Sequence, residues 1–199
     1  MTDRLLPLIL TVSILALTGC FGGEEQWHAK DISGLMPELE FELVGTGGQT
    51  VTPKDSAGNI RLLYFGFTSC PDVCPTTLTD LRKAVNQLPP DYRDDITTLF
   101  VSVDPQRDTP ERLGSYAGFF GDHVVGLTAA EPELRELTKR YRTTFGYDEP
   151  DADGNYNVSH SSAVYVFDRS GKARLLLRPG LTTQQVSEDL AHLASESRS

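Results

Sequence analysis

Ile60–Phe67 is apolar at nearly every position after Arg61. A strand buried on both faces carries that pattern, because neither face meets water. Ile96–Val103 reads as a second central strand. Between them, Leu78, Leu81, Val85 and Leu88 share one helical face. This spacing predicts a helix from Thr76 to about Leu88, stopped by Pro89-Pro90. Strand, helix and strand then make a right-handed crossover.

The flanking segments extend this unit on both sides. Leu39–Val44 alternates apolar and polar residues, which predicts a half-buried strand, and Gln49–Thr52 predicts a short one. The Asp104–Glu111 block opens a helix running to about Phe120. Asp108 or Thr109 caps it, Pro110 suits its first turn and Gly121 ends it. Val124–Leu127 is a short strand. Thr128 and Glu131 have capping-box spacing for a helix over Pro132–Arg142, and Thr182 and Gln185 have it for a last helix, Thr183 to about Ala194. Asp148–Asn157 is an acidic loop. Ser161–Phe167 and Ala173–Arg178 are strands, with Asp168–Gly171 as the hairpin turn. This order predicts an α/β domain of thioredoxin-like fold: a central mixed β-sheet flanked by helices, with extra N-terminal strands and an inserted strand–helix segment. The 199 residues suffice for one such core, and no repeat or second domain is visible.

Composition changes the picture in one respect. Hydrophobic content of 39% and charged content of 23% suit a soluble domain, and the net charge of −10 repels phosphate backbones. Nucleic acid is therefore set aside as a partner.

The N-terminus reads as a targeting segment. Arg4 precedes the apolar run Leu5–Leu17, which is shorter than the ~20 residues of a bilayer span. Leu17-Thr18-Gly19-Cys20 resembles the lipobox of a bacterial lipoprotein signal. That resemblance implies removal of residues 1–19, lipid on the Cys20 sulfur, and a membrane anchor for an exported domain. Residues 20–36 are then a tether and 37–199 the folded domain. An ordinary signal peptide or an uncleaved anchor is the alternative.

The chemistry converges on Cys70 and Cys74, the two cysteines left once Cys20 is set apart. They stand at the first strand-to-helix junction, where a thioredoxin-like fold keeps reactive thiols. Their spacing is one residue longer than Cys-x-x-Cys. The positive helix end favours thiolate at both, and Asp72 between them opposes it. Two thiolates alone close no zinc site. His28, His123, His160 and His192 are the candidate third ligands. His28 lies in the tether, His192 in the last helix and His123 at a helix end. His160 stands immediately before the strand Ser161–Phe167, and in a thioredoxin-like fold the loop entering that strand faces the redox cysteines, so it is preferred. A Cys2His set suits Cu(I) and also accepts Cu(II), and zinc with an open fourth position is possible on the same ligands. Met36 is the only methionine outside the signal segment, which excludes a methionine-rich copper pocket. Asp151 and Asp153 resemble part of a calcium loop but lack its later glutamate and spacing. A peroxidase reading fails on the spacing of Tyr64 and Thr68 before Cys70.

Three blocks carry a further resemblance. Thr68-Ser-Cys-Pro-Asp-Val-Cys-Pro-Thr76, Ser102-Val-Asp-Pro-Gln-Arg-Asp-Thr-Pro-Glu111 and Val158-Ser-His-Ser-Ser162 together resemble the Sco/SenC family, over about Leu39 to Leu193. The resemblance implies a membrane-anchored, thioredoxin-like copper protein with Cys70, Cys74 and His160 as ligands. It implies the CuA-bearing subunit of cytochrome c oxidase as partner, with other copper carriers or thiol reductants. The domain is then expected outside the cytoplasm, at the periplasmic face of the inner membrane. Copper delivery and thiol–disulfide reduction of the CuA cysteines are two activities the same atoms serve. Asp104 is either a plain strand exit or a carboxylate supporting the site or facing a partner. Tyr64 and Phe67 read as core.

Overall fold

A computed structural model describes residues 27–196. The lipobox, with Cys20, lies outside the described residues. In chain order the elements are β1 (Lys30–Asp31), β2 (Leu43–Gly45), β3 (Thr50–Val51), β4 (Ile60–Gly66), α1 (Val73–Asn86) and α2 (Pro90–Arg93). β5 (Ile96–Ser102), α3 (Pro110–Phe119), β6 (Val124–Thr128) and α4 (Glu131–Arg140) follow. β7 (Phe145–Tyr147), β8 (Val158–His160), β9 (Val164–Phe167), β10 (Ala173–Leu177) and α5 (Thr183–Glu196) complete the chain.

Eight strands form one mixed sheet in the order β1-β10-β9-β4-β5-β6-β2-β3. β4, β5 and β6 are parallel, and β9 runs antiparallel to β4. Every residue of β4 and β5 is buried, as their unbroken apolar runs require. This is the α/β, thioredoxin-like architecture expected. The Thr182–Gln185 capping box also forms: each residue's side chain accepts the other's backbone N–H, at 3.2 and 2.9 Å.

Four expectations change. The tether does not extend to residue 36. From Trp27 the chain is folded against the domain, with β1 paired to β10 and the His28 and Ala29 N–H groups donated to the buried Asp189 carboxylate at 3.0 and 2.8 Å. A two-residue strand held by main-chain bonds leaves no hydrophobic period to read. The strand over Leu39–Val44 shortens to Leu43–Gly45. Leu39 and Phe41 are buried, but the Leu39 and Glu40 N–H groups go to the Gly171 carbonyl and the Tyr141 hydroxyl instead of to a ladder. The capping box at Thr128 does not form, because Thr128 still belongs to β6 and its hydroxyl donates to the Ser102 carbonyl. Finally, β7 and β8 pair as a separate two-stranded sheet around the acidic loop. His160 closes β8 and does not stand directly before β9.

Candidate metal centre

β4 ends at Gly66, and the next seven residues reach the start of α1. Cys70 lies on this connection and Cys74 in the first turn of α1. The Cys74 N–H points at the Cys70 sulfur, 3.4 Å away. Cys74 is fully buried, with its sulfur laid against the backbone of Gly66. A Cβ at position 66 would stand 2.8 Å from that sulfur and 2.7 Å from the Phe100 ring, so only glycine lets the helix approach.

The β7–β8 hairpin brings the third group. Phe145 pairs with His160, which places the imidazole Nε2 3.4 Å from the Cys74 Sγ. Its Nδ1 lies 3.0 Å from the Ser161 carbonyl oxygen. A carbonyl only accepts, so Nδ1 carries the proton and Nε2 turns its lone pair toward the sulfurs. The rings of Phe67 and Tyr64 hold the imidazole edge-on, with centroids 5.6 and 6.2 Å away. The donor atoms of Cys70, Cys74 and His160 all lie within 4.8 Å of one another. Among the described residues no other group of three His, Cys, Asp or Glu side chains is so arranged. One ion bound by sulfur at about 2.3 Å and nitrogen at about 2.0 Å needs donors roughly 3.5–4 Å apart, so the trio fits with small adjustment.

Electrostatics at the pair departs from the sequence expectation. Burial pushes the Cys74 thiol up to about 12, and the neighbouring Cys70 adds to this; the Phe67 backbone N–H opposes it. The helix end therefore does not make Cys74 a thiolate by itself. A bound cation must displace its proton. Burial holds His160 below its usual range, against the carbonyls of Ser161 and Phe65, so it is neutral and able to bind a metal. Both cysteines are free thiols. Cys70 and His160 are half-buried and line an open pocket of about 310 Å³.

The other histidines are elsewhere. His28 bonds Glu188 at 2.8 Å, His192 stacks on Trp27 at 4.5 Å, and His123 lies in a different pocket with Arg82 and Asp122. Asp104 is fully buried, which ends its partner-facing reading. Its carboxylate accepts from the Tyr156 hydroxyl at 2.7 Å and from Arg107 Nε. The Arg107 guanidinium lies over the rings of Tyr156 and Phe67, at 3.8 and 5.7 Å. Asp104 thus braces His160 indirectly, through Arg107 and Phe67.

Asp108, expected only as a helix cap, has the larger role, and Thr109 does the capping. The buried Asp108 carboxylate accepts from the Thr68 N–H at 2.8 Å, the Thr68 hydroxyl at 2.6 Å and the Ser102 hydroxyl at 2.6 Å. Arg112 then bonds the Thr68 and Ser69 hydroxyls at 2.6 and 2.9 Å. The segment entering Cys70 is thereby fixed to the start of α3. A Thr-Ser pair before Cys70 and an Asp–Arg pair four residues apart were visible in the sequence, but nothing there said that they meet.

Comparison with known proteins agrees with this geometry. The family model described as SCO1/SenC matches residues 34–195. The SCO2-like protein RC0895 of Rickettsia conorii is 37% identical over 134 residues, covering 67% of this chain and 65% of that protein. Copper-bound ScoI of Bradyrhizobium japonicum superposes with a TM-score of 0.70 at 31% identity, over 78% of this chain and 98% of that one. Copper-bound yeast Sco1 does so at 0.71 and 31%, over 81% and 94%. With four-fifths of its length matched by the family model and its three donors gathered at one strand-to-helix junction, the chain belongs to the SCO1/SenC family.

Proposed function

We propose that the protein binds copper through Cys70, Cys74 and His160 and delivers it to the CuA centre of cytochrome c oxidase. The observation that carries this reading is the convergence of two sulfurs and one unprotonated imidazole nitrogen within 4.8 Å. Two soft thiolates and an imidazole suit Cu(I), and the same set accepts Cu(II). Copper is cargo here. Its exit requires ligand exchange with an incoming donor, and the half-buried Cys70 and His160 at an open pocket give that donor access. The copper-bound relatives support the choice of metal. Lipid on Cys20 would hold the domain outside the cytoplasm, at the membrane in which the oxidase sits.

The test is copper analysis of the reduced protein and of His160→Ala. The reduced protein takes up one copper with sulfur-to-copper charge-transfer absorption. His160→Ala loses at least about tenfold in affinity yet still forms the Cys70–Cys74 disulfide. Full copper affinity in the variant removes His160 from the ligand set, and a reduced protein that binds no copper ends the assignment.

The unequal exposure of the two thiols favours a second reading on the same atoms, a thiol–disulfide reductant. The accessible Cys70 attacks a partner disulfide, and Cys74 then displaces the partner sulfur. The partner gains two electrons and becomes a dithiol, while Cys70 and Cys74 end as a disulfide. Failure of the reduced protein to reduce a CuA-domain disulfide counts against it.

A further inference from the structure

Tyr64 is the largest side chain of β4 and is completely buried. It stands two residues before Gly66, so both face the same side of the sheet, under α1. Its ring packs beside Phe100 and edge-on to His160, at centroid distances of 6.0 and 6.2 Å. Its hydroxyl lies within interaction range of the Cys74 thiol and the Thr77 side chain, one helical turn apart on α1, but meets full hydrogen-bond geometry with no partner. A buried hydroxyl without a partner costs about 1–3 kcal/mol, and phenylalanine would fill the same space without that cost. Packing alone therefore does not explain a tyrosine at this position.

The missing partner becomes clear once Cys74 binds a cation. A neutral thiol is a weak acceptor, so the reduced, metal-free site offers the phenol little. A metal-bound thiolate is a strong acceptor buried where no water reaches it, and a donor aimed at it forms a charge-assisted bond. The Phe67 N–H lies near the Cys74 sulfur and favours its charged form. One more donor can be accommodated, and Tyr64 is the buried O–H beside it.

We propose that Tyr64 is a positioning residue for the metal site, whose hydroxyl donates to the Cys74 sulfur when copper is bound and stays unpartnered when it is not. This inference rests on the copper-binding reading above. It makes the site's polarity conditional on its cargo: the hydroxyl destabilises the empty fold slightly and stabilises the loaded one. Hydrogen bonds to a ligating sulfur also withdraw charge from it, which changes the energy of its electronic transitions to the metal.

The experiment compares the full chain with Tyr64→Phe and with Tyr116→Phe. Tyr116 carries a second buried hydroxyl without a partner, hydrogen-bonded to neither sulfur, and serves as the control. Tyr64→Phe, metal-free and reduced, unfolds at the same temperature as the unmodified protein or higher. Its Cu(I) affinity, measured by competition with a chromophoric chelator, falls about tenfold. With Cu(II), its sulfur-to-copper band moves to lower energy, because the sulfur has lost a hydrogen bond. Tyr116→Phe leaves affinity and band in place. A purely structural role for Tyr64 would lower the unfolding temperature and leave the band unmoved. Unchanged affinity and band in Tyr64→Phe overturn the inference while the copper reading stands; an unmodified protein that binds no copper overturns both. The unmodified protein gives an independent measurement. The Tyr64 hydroxyl proton becomes a resolved, slowly exchanging NMR signal when Cu(I) is added, and a hydroxyl that exchanges freely in the loaded protein contradicts the proposal.

Discussion

Asp108 shows how much of the site is set by a residue that binds nothing. Three hydrogen bonds run into its buried carboxylate, two of them from Thr68, two positions before Cys70. Thr68 and Ser69 are also bonded by Arg112, so the loop before the cysteines has its donors and acceptors matched from one side. Asp108→Ala would leave the buried Ser102 hydroxyl and the half-buried Thr68 N–H without acceptors, and the half-exposed Arg112, whose Nε lies 3.8 Å from the carboxylate, without its ion pair. The expected loss is about 3 kcal/mol of stability, measured by denaturant unfolding, together with weaker copper binding as the Cys70 segment loosens. A variant that keeps full stability would mean that water replaces the carboxylate. The grouping of Cys70, Cys74 and His160 was legible in the sequence, because Cys, Cys and His have few roles and His160 precedes a predicted strand. Their supports were not. Asp108 and Tyr64 gain their meaning from contacts across 40 and 10 residues of chain, which no local pattern records.

At the scale of elements, legibility followed the strength of the hydrophobic period. β4, β5 and α1 were readable because burial on both faces or on one helical stripe leaves a long, unambiguous pattern. β7 and β8 were not, because three-residue strands such as Phe145-Gly146-Tyr147 contain no run from which a period can be taken. Turn and cap chemistry was correct where the residue had left its strand, as at Thr182, and wrong where it had not, as at Thr128. One loop between elements yields a pH prediction. His123 follows α3 and precedes β6, and burial lowers its pKa from 6.5; Arg82 adds to this and Asp122 opposes it. The unfolded chain therefore binds this proton more readily than the folded one. The stability from keeping His123 neutral is complete above about pH 6.5 and is lost as pH falls toward the depressed folded value. His123→Phe removes a titrating group whose Nε2 is buried without a partner. Urea unfolding at pH 7.5 and 5.5 should show a smaller difference for the variant than for the unmodified protein; equal differences would assign the pH sensitivity to other groups.

Across the whole molecule, the N-terminal segment tests what counts as the domain. Residues 27–36 have the composition of a linker, yet they close one edge of the eight-stranded sheet through β1. The attachment is concentrated at Asp189 of α5, only 2% exposed, whose two oxygens accept the His28 and Ala29 N–H groups. Trp27 adds its stack on His192 and lies 5.6 Å from the Arg174 guanidinium. A chain that starts at Trp27 retains all of these contacts. A chain that starts at Leu35 loses the β1–β10 pairing and leaves a carboxylate buried with neither amide. The second loss dominates, because stranding a buried charge costs more than losing a solvated edge strand. We expect the shorter chain to be less stable by about 3 kcal/mol, which for a domain of this size lowers the unfolding temperature by about 6–12 °C. The site lies on the connection from β4 to α1, and β4 is separated from β1 by β10 and β9 in the sheet, so copper binding by the surviving folded fraction should be unchanged. Asp189→Leu in the shorter chain separates the two contributions. It removes the stranded charge and should recover most of the lost stability, whereas the same substitution in the chain starting at Trp27 should destabilise it. If both chains unfold at the same temperature, the segment is a tether after all, and the contacts of β1 contribute no net stability.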